Sequence, residues 1–250
     1  MINRLSFSDW VRGLLDLFLP RECVVCGKRL PLRERHVCLD CLADLPRTFY
    51  SKMSRNPMAD RLNEMIQRNL QPEAKPRPYS FATALFYYRA STGYRNITKS
   101  LKYGGNIALG RYFASMLSEE MARSPLYADI DTVIPVPLHW TRRWSRGYNQ
   151  AEIIAFELAK TLGAEVRTDI IRRRRRTRTQ TRLSIGEKAA NVAGAFILKK
   201  RANLDGCSHI LIVDDVLTTG ATVHSCLKIL MDNTKPSVRI SVATLACVGY

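Results

Sequence analysis

The sequence predicts an α/β fold, a mainly parallel sheet with helices on both faces, preceded by a small cysteine module. Three observations carry this. From residue 81 onward, short apolar runs alternate with stretches of helical period, as in sheets whose parallel strands are joined by crossover helices. Ahead of them stand four cysteines in two close pairs. Between the two regions, the proline-rich residues 71–78 mark a boundary. The chain therefore divides into 1–46 (an N-terminal helix and the cysteine module), 47–80 (a linker) and 81–250 (the large domain).

Taken in order, Trp10, Leu14, Leu17 and Phe18 recur at helical spacing and predict a short amphipathic helix that docks on its own domain, with membrane contact as the alternative. Leu62, Met65 and Ile66 form a second amphipathic stretch inside the linker. Residues 81–88 read as an aromatic-rich strand, and Leu109, Phe113, Met116, Leu117 and Met121 keep a helical period. A short apolar strand follows at 132–136, then a helix with Ala151, Ile154, Ala155, Leu158 and Leu162 on one face. Strands at 194–198, 210–213 and 240–246, with a helix near 221–232 before the last, complete the set. Ligands in such folds bind at the carboxyl ends of the strands.

A chain of 250 residues has room for one large domain and an appendage. Its 46% hydrophobic and 24% charged residues exclude a disordered chain. Against 22 acidic residues stand 39 basic ones, a net charge of +17, which attracts nucleic acid, phosphorylated small molecules or anionic lipid. Residues 10–19, the most apolar N-terminal stretch, contain Arg12 and Asp16 and reach about half the length of a spanning helix. No transmembrane segment or export signal is expected, and the compartment is expected to be the cytoplasm.

In a reducing compartment, clustered cysteines read as metal ligands. Cys23 and Cys26 form one Cys-x-x-Cys knuckle, Cys38 and Cys41 another, eleven residues apart. Four thiolates make a closed structural zinc site, and a module this short would draw its folding free energy from the metal. Cys207, Cys226 and Cys247 lie in or beside apolar runs and are expected as buried thiols.

The densest chemistry lies at 210–222. Four apolar residues precede Asp214 and Asp215, and Thr218, Thr219, Gly220, Ala221 and Thr222 follow at the start of a helix. Adjacent carboxylates at a strand end are costly to bury unless a cation or hydroxyls compensate. Hydroxyls and amides at a helix start suit a phosphate dianion, and glycine allows close backbone approach. Together they describe a site for a ribose 5-phosphate. The segment resembles the signature of type I phosphoribosyltransferases, which use phosphoribosyl diphosphate (PRPP) with Mg²⁺. That resemblance implies that Asp214 and Asp215 hold the ribose hydroxyls and that Thr218 to Thr222 hold the 5-phosphate. Where 6-oxopurine enzymes of that superfamily carry an aspartate, this chain has Thr218, which cannot accept a proton at neutral pH.

Three further stretches resemble the ComF family of competence proteins. They are 101–105 (Leu-Lys-Tyr-Gly-Gly), 135–139 running to 146–150 (Arg-Gly-Tyr-Asn-Gln), and 179–183 continuing through Asn191 to Phe196. The turn at 135–138 looks suited to presenting amides to a pyrophosphate, and Val136, Pro137, Lys102, Arg146 and Asn149 are its expected contacts. The region 172–188 would be the mobile hood, by resemblance to the superfamily's flexible loop. The family resemblance implies a role in natural transformation, with PRPP as ligand and single-stranded DNA and competence-machinery proteins as partners. Two alternatives stand beside it: a phosphoribosyltransferase acting on an unidentified acceptor, and a PRPP-sensing regulator. Arg172, Arg173, Arg174, Arg175 and Arg176 form a run that is either a solvated segment or a polyanion contact. As a contact it would take single-stranded DNA, with Trp140, Trp144 and Tyr148 nearby to stack on bases, or it would gather PRPP.

Overall fold

The computed structural model describes residues 20–70, 73–174 and 194–249. The N-terminal helix expected from Trp10 to Phe18, together with Arg175, Arg176 and the 179–183 motif, lies outside the described residues. In chain order the elements are α1 (Leu39–Ala43), α2 (Pro57–Asn69), β1 (Ala82–Tyr88), α3 (Arg95–Tyr103), α4 (Ile107–Ala122), β2 (Thr132–Pro135), α5 (Trp140–Arg146) and α6 (Gln150–Leu162). They continue with β3 (Glu165–Val166), β4 (Ile171–Arg173), β5 (Phe196–Leu198), β6 (His209–Leu217), α7 (Ala221–Asp232) and β7 (Arg239–Val248).

Five strands form one sheet in the order β1-β7-β6-β2-β3, with every pairing parallel. Strand alternation sends Ile210 and Ile212 of β6 to one face and Leu211 and Val213 to the other. Both faces are covered, which is why β6 reads as an unbroken apolar run rather than an alternating one. One face packs against α2 and α7, the other against α3, α4 and α6. The strand expected at 194–198 stands apart from this sheet. Its β5 residues pair antiparallel with β4, with Phe196 opposite Arg173.

The 47–80 segment is not a linker over most of its length. Thr48 donates its backbone N–H to Leu85 O at 3.1 Å and Tyr87 donates to Pro46 O at 2.8 Å, so this segment runs along the outer edge of β1. Asn56 then caps α2, its side chain accepting from the Ala59 N–H at 2.9 Å, and Pro57 occupies the first turn, where a missing N–H costs nothing. Met58, Ala59, Leu62 and Ile66 follow on one face and are fully buried. Even the proline-rich part is anchored. Arg77 donates to the Met231, Thr234 and Val238 carbonyls at 2.7, 3.0 and 3.2 Å, satisfying the C-terminal end of α7.

Candidate functional site

On its β2 side, β6 is paired only as far as Val213, opposite Pro135, while on its β7 side pairing continues to Leu217. A crevice therefore opens beside Asp214. From β2 the chain proceeds outward to β3, and from β6 it proceeds the other way to β7, so this crevice is the topological switch point of the sheet. The acids lie within β6 rather than at its end, as the sequence suggested; it is β2 that stops short.

Asp215 donates its backbone N–H to Asp214 Oδ1 at 2.8 Å, and Asp215 Oδ2 lies 2.9 Å from Lys102 Nζ. Burial and the adjacent Asp215 charge push the Asp214 carboxyl up to about 7. Burial works against the Lys102 ammonium, but the charges of Asp215 and Asp214 outweigh it and raise its pKa. Lys102 was expected at a pyrophosphate; here its ammonium is paired with the acid pair through Asp215.

The loop expected to hold the 5-phosphate runs straight into helix α7. Gly220 has φ +77° and precedes the first turn of α7. Helix α2 braces this loop from behind. Arg61 donates to the Thr219 carbonyl at 3.0 Å, and a Cβ added at Gly220 would lie 2.7 Å from Met65 Cε. Neither Arg61 nor Met65 was expected at the site. The amphipathic spacing around Met65 announced a helix, but nothing local revealed which loop it would meet.

Turn 136–139 differs from its expected role. The Val136 N–H is committed to Val213 O at 2.8 Å and Pro137 has no N–H, so neither residue offers an amide to a diphosphate. Leu138 and His139 are the turn's remaining amide donors. Asn149 is likewise a positioning residue. It is buried, caps α6 and donates to the Val136 carbonyl at 3.0 Å. Gln150 and Tyr148 donate to Leu101 O, tying this motif to the last turn of α3. Arg146 donates to Gln150 Oε1 at 3.1 Å and its guanidinium lies 5.1 Å from the Tyr103 ring centre.

The arginine run does not act as a unit among its described members. Arg172 and Arg174 are exposed, whereas Arg173 turns inward, its guanidinium 5.0 Å from the Phe196 ring centre. Burial lowers the Arg173 pKa, the charge of Arg142 adds to this, and Asp214 opposes it. On α5 the four-residue spacing of Trp140 and Trp144 places them on one face, 71% and 88% exposed. A Ser241–His209–Asp129 chain with contacts of 2.7 and 2.6 Å has the outline of a catalytic triad. Its serine is fully buried and accepts the Phe81 N–H, which makes the chain a structural brace.

Away from the crevice, the sulfurs of Cys23, Cys26, Cys38 and Cys41 all lie within 4.8 Å of one another. The 3.8 Å between Cys26 and Cys38 Sγ matches the edge that a sulfur tetrahedron would have around a metal at about 2.3 Å. Gly27, at φ +75°, turns the first knuckle, and the Cys38 and Cys41 amides point at Cys23 and Cys38 Sγ at 3.4 and 3.5 Å. This donor set fits a closed tetrahedral centre. Nearby His36 lies against Tyr112, with ring centres 5.6 Å apart and the planes tilted by 54°.

The parallel sheet and the acid pair at its switch point define a type I phosphoribosyltransferase-like protein. A model of the phosphoribosyl transferase domain matches residues 145–248. The chain is 37% identical over 100 residues to competence protein F of Haemophilus influenzae, covering 40% of this chain and 44% of that protein. It is 29% identical over 231 residues to the DNA utilization protein YhgH of Salmonella typhi, covering 90% and 96%. With competence protein ComFC of Streptococcus pneumoniae it shares 29% over 150 residues, covering 59% and 60%. These similarities support a ComF-family, type I phosphoribosyltransferase-like protein. Among the described residues no helix is long and apolar enough to cross a membrane.

Proposed function

We propose that this protein binds Mg²⁺–PRPP in the β6/β2 crevice and handles single-stranded DNA during DNA uptake, with structural zinc in its cysteine module. One observation carries the reading: two adjacent carboxylates at a sheet switch point, followed at once by a glycine-bearing loop that opens a helix. Asp214 and Asp215 would accept from the two ribose hydroxyls, and Lys102 must yield as they do. Amides and hydroxyls of Thr218 to Thr222 would hold the 5-phosphate, where the helix dipole favours a dianion. Arg146, with the amides of Leu138 and His139, would meet the diphosphate. Mg²⁺ would enter with the ligand and offset the charge of its diphosphate.

Support for the DNA partner comes from the exposed tryptophan pair, the outward Arg172 and Arg174, and the net charge of +17. The names of the Haemophilus, Salmonella and Streptococcus relatives point the same way. Support for zinc is the all-thiolate tetrad. Calorimetric titration with PRPP–Mg²⁺, alone and with a short single-stranded oligonucleotide present, tests the reading. Saturable binding lost in Asp215→Asn is the expected result; heat indistinguishable from dilution would overturn it. Release of pyrophosphate from PRPP in the presence of a nucleobase would favour a transferase over a binding protein.

A further inference from the structure

Phe49 stands in a backbone conformation that its side chain disfavours. At φ +56° and ψ +19° it is left-handed, and among the described residues it is the one non-glycine with a positive φ. There a β-carbon crowds the following carbonyl, and a bulky residue stays in such a conformation only where its surroundings impose it. Its neighbours supply the constraint. Thr48 is buried, donates its N–H to Leu85 O at 3.1 Å and its hydroxyl to Ala84 O, and accepts the Tyr50 N–H at 3.2 Å. Tyr50 is buried in turn, and its hydroxyl accepts from that of Tyr87 at 3.0 Å. Between these two anchored residues Phe49 remains 44% exposed, so packing of the ring recovers only part of the strain. Two cations meet at that ring, the Arg47 guanidinium 5.7 Å and the Lys52 ammonium 5.4 Å from its centre. Buried Glu120 holds Arg47 in place, while Lys52 is exposed. Residues 47–55 carry three basic side chains and no carboxylate.

We propose that Phe49, flanked by Arg47 and Lys52, is a stacking platform for one base of a single-stranded DNA. The proposal rests on the DNA reading above and adds a contact that reading does not contain. The platform lies on the outer edge of β1, and β7 separates β1 from β6, so a strand held there is outside the ribose-phosphate crevice. An aromatic face among cations suits a nucleotide whose base stacks on the ring while its phosphates meet the guanidinium and the ammonium. A duplex keeps its base faces stacked inside, so the ring selects a single strand.

Anisotropy of a short labelled single strand, with PRPP affinity measured alongside, tests this in the wild type, Phe49→Ala, Phe49→Gly, Phe49→Trp and Lys52→Gln. Phe49→Ala is expected to weaken the strand by about fivefold or more, the effect of one stacked base, and to leave PRPP within about twofold. Phe49→Trp should keep the affinity. Lys52→Gln should lower the slope of log affinity against log salt by about 0.7, the share of one phosphate contact. Phe49→Gly should lose as much DNA affinity as Phe49→Ala yet melt above it, because glycine alone relieves the left-handed backbone. Unchanged strand affinity in both variants would overturn the platform, as would an equal loss of PRPP binding, the mark of a general structural defect. Phe49→Gly melting below Phe49→Ala would remove the strain on which the assignment stands. A wild type that binds no single strand would bring down the parent reading and the platform with it. A loss confined to Trp140→Ala with Trp144→Ala would leave the parent reading standing without Phe49.

Discussion

Asp214 is held where its charge is costly, and Asp214→Asn should therefore stabilise the ligand-free protein while removing its PRPP binding. A carboxyl raised from 3.8 to about 7 disfavours folding wherever the unfolded chain would be ionised. At about 1.4 kcal/mol for each tenfold change in proton affinity, the cost at neutral pH has a ceiling of about 4 kcal/mol. The amide of asparagine must still be accommodated beside Asp215, so we expect a net gain of roughly 1–3 kcal/mol, a rise in Tm of about 2–4 °C per kcal/mol. The sign with pH is fixed. Because the folded-state pKa is above the unfolded one, the cost is absent below about 3.8, grows as pH rises, and is complete above about 7. Thermal unfolding of both proteins in metal-free buffer at pH 4.5, 6 and 8 reads it directly. The variant should gain most at pH 8 and least at pH 4.5. A variant less stable than wild type at pH 8, or a difference that does not change with pH, would refute the account of Asp214 as a strained functional acid.

Gly220→Ala places a Cβ at φ +77° against Met65, and should cost about 1–2 kcal/mol in a urea titration and weaken PRPP as the loop shifts; an unchanged midpoint would contradict the close packing of α2 on the loop. Native mass spectrometry should find one zinc per chain, and Cys38→Ser should lose both the metal and several degrees of Tm; metal retained at full stoichiometry would count against the tetrad. Trp140→Ala with Trp144→Ala should reduce single-stranded DNA affinity by about thirtyfold or more, at about 1–3 kcal/mol per stacked base, with Tm within a degree or two because both rings are exposed. Equal affinity for the double variant would move the DNA path away from α5.

How far the site was legible depended on whether its residues are neighbours in sequence. Asp214, Asp215 and the Gly220 turn lie within seven positions, and their chemistry is written in that order because a strand, a crevice and a helix start follow one another along the chain. The two cysteine knuckles were legible for the same reason, since each pair spans one tight turn. Val136 and Asn149 spend their polar groups inside the fold, on the Val213 and Val136 carbonyls. Sequence shows that Asn149 carries an amide, not that the amide would be spent on the Val136 carbonyl. Arg61 meets Thr219 from 158 positions away, and no periodicity encodes such a contact. Arg173 was hidden by composition: five identical residues carry no alternation of their own, and only pairing with β5 decides which of them turns inward.

Helix α3 joins the two chemistries of the chain. At its start, Gly93 and Tyr94 press on the cysteine module: a Cβ at Gly93 would lie 2.2 Å from Val25 O, and Tyr94 donates its hydroxyl to Cys41 O at 3.0 Å. Ile97 and Leu101, fully buried, share one core cluster with Cys23 and Cys38. One residue beyond Leu101, Lys102 reaches Asp215. A helix of nine residues is too short to hold its own shape in water, so its position is set by what packs against its two ends. The cysteine module is thus part of what aims the lysine at the acid pair, and the apparent appendage belongs physically to the architecture of the crevice.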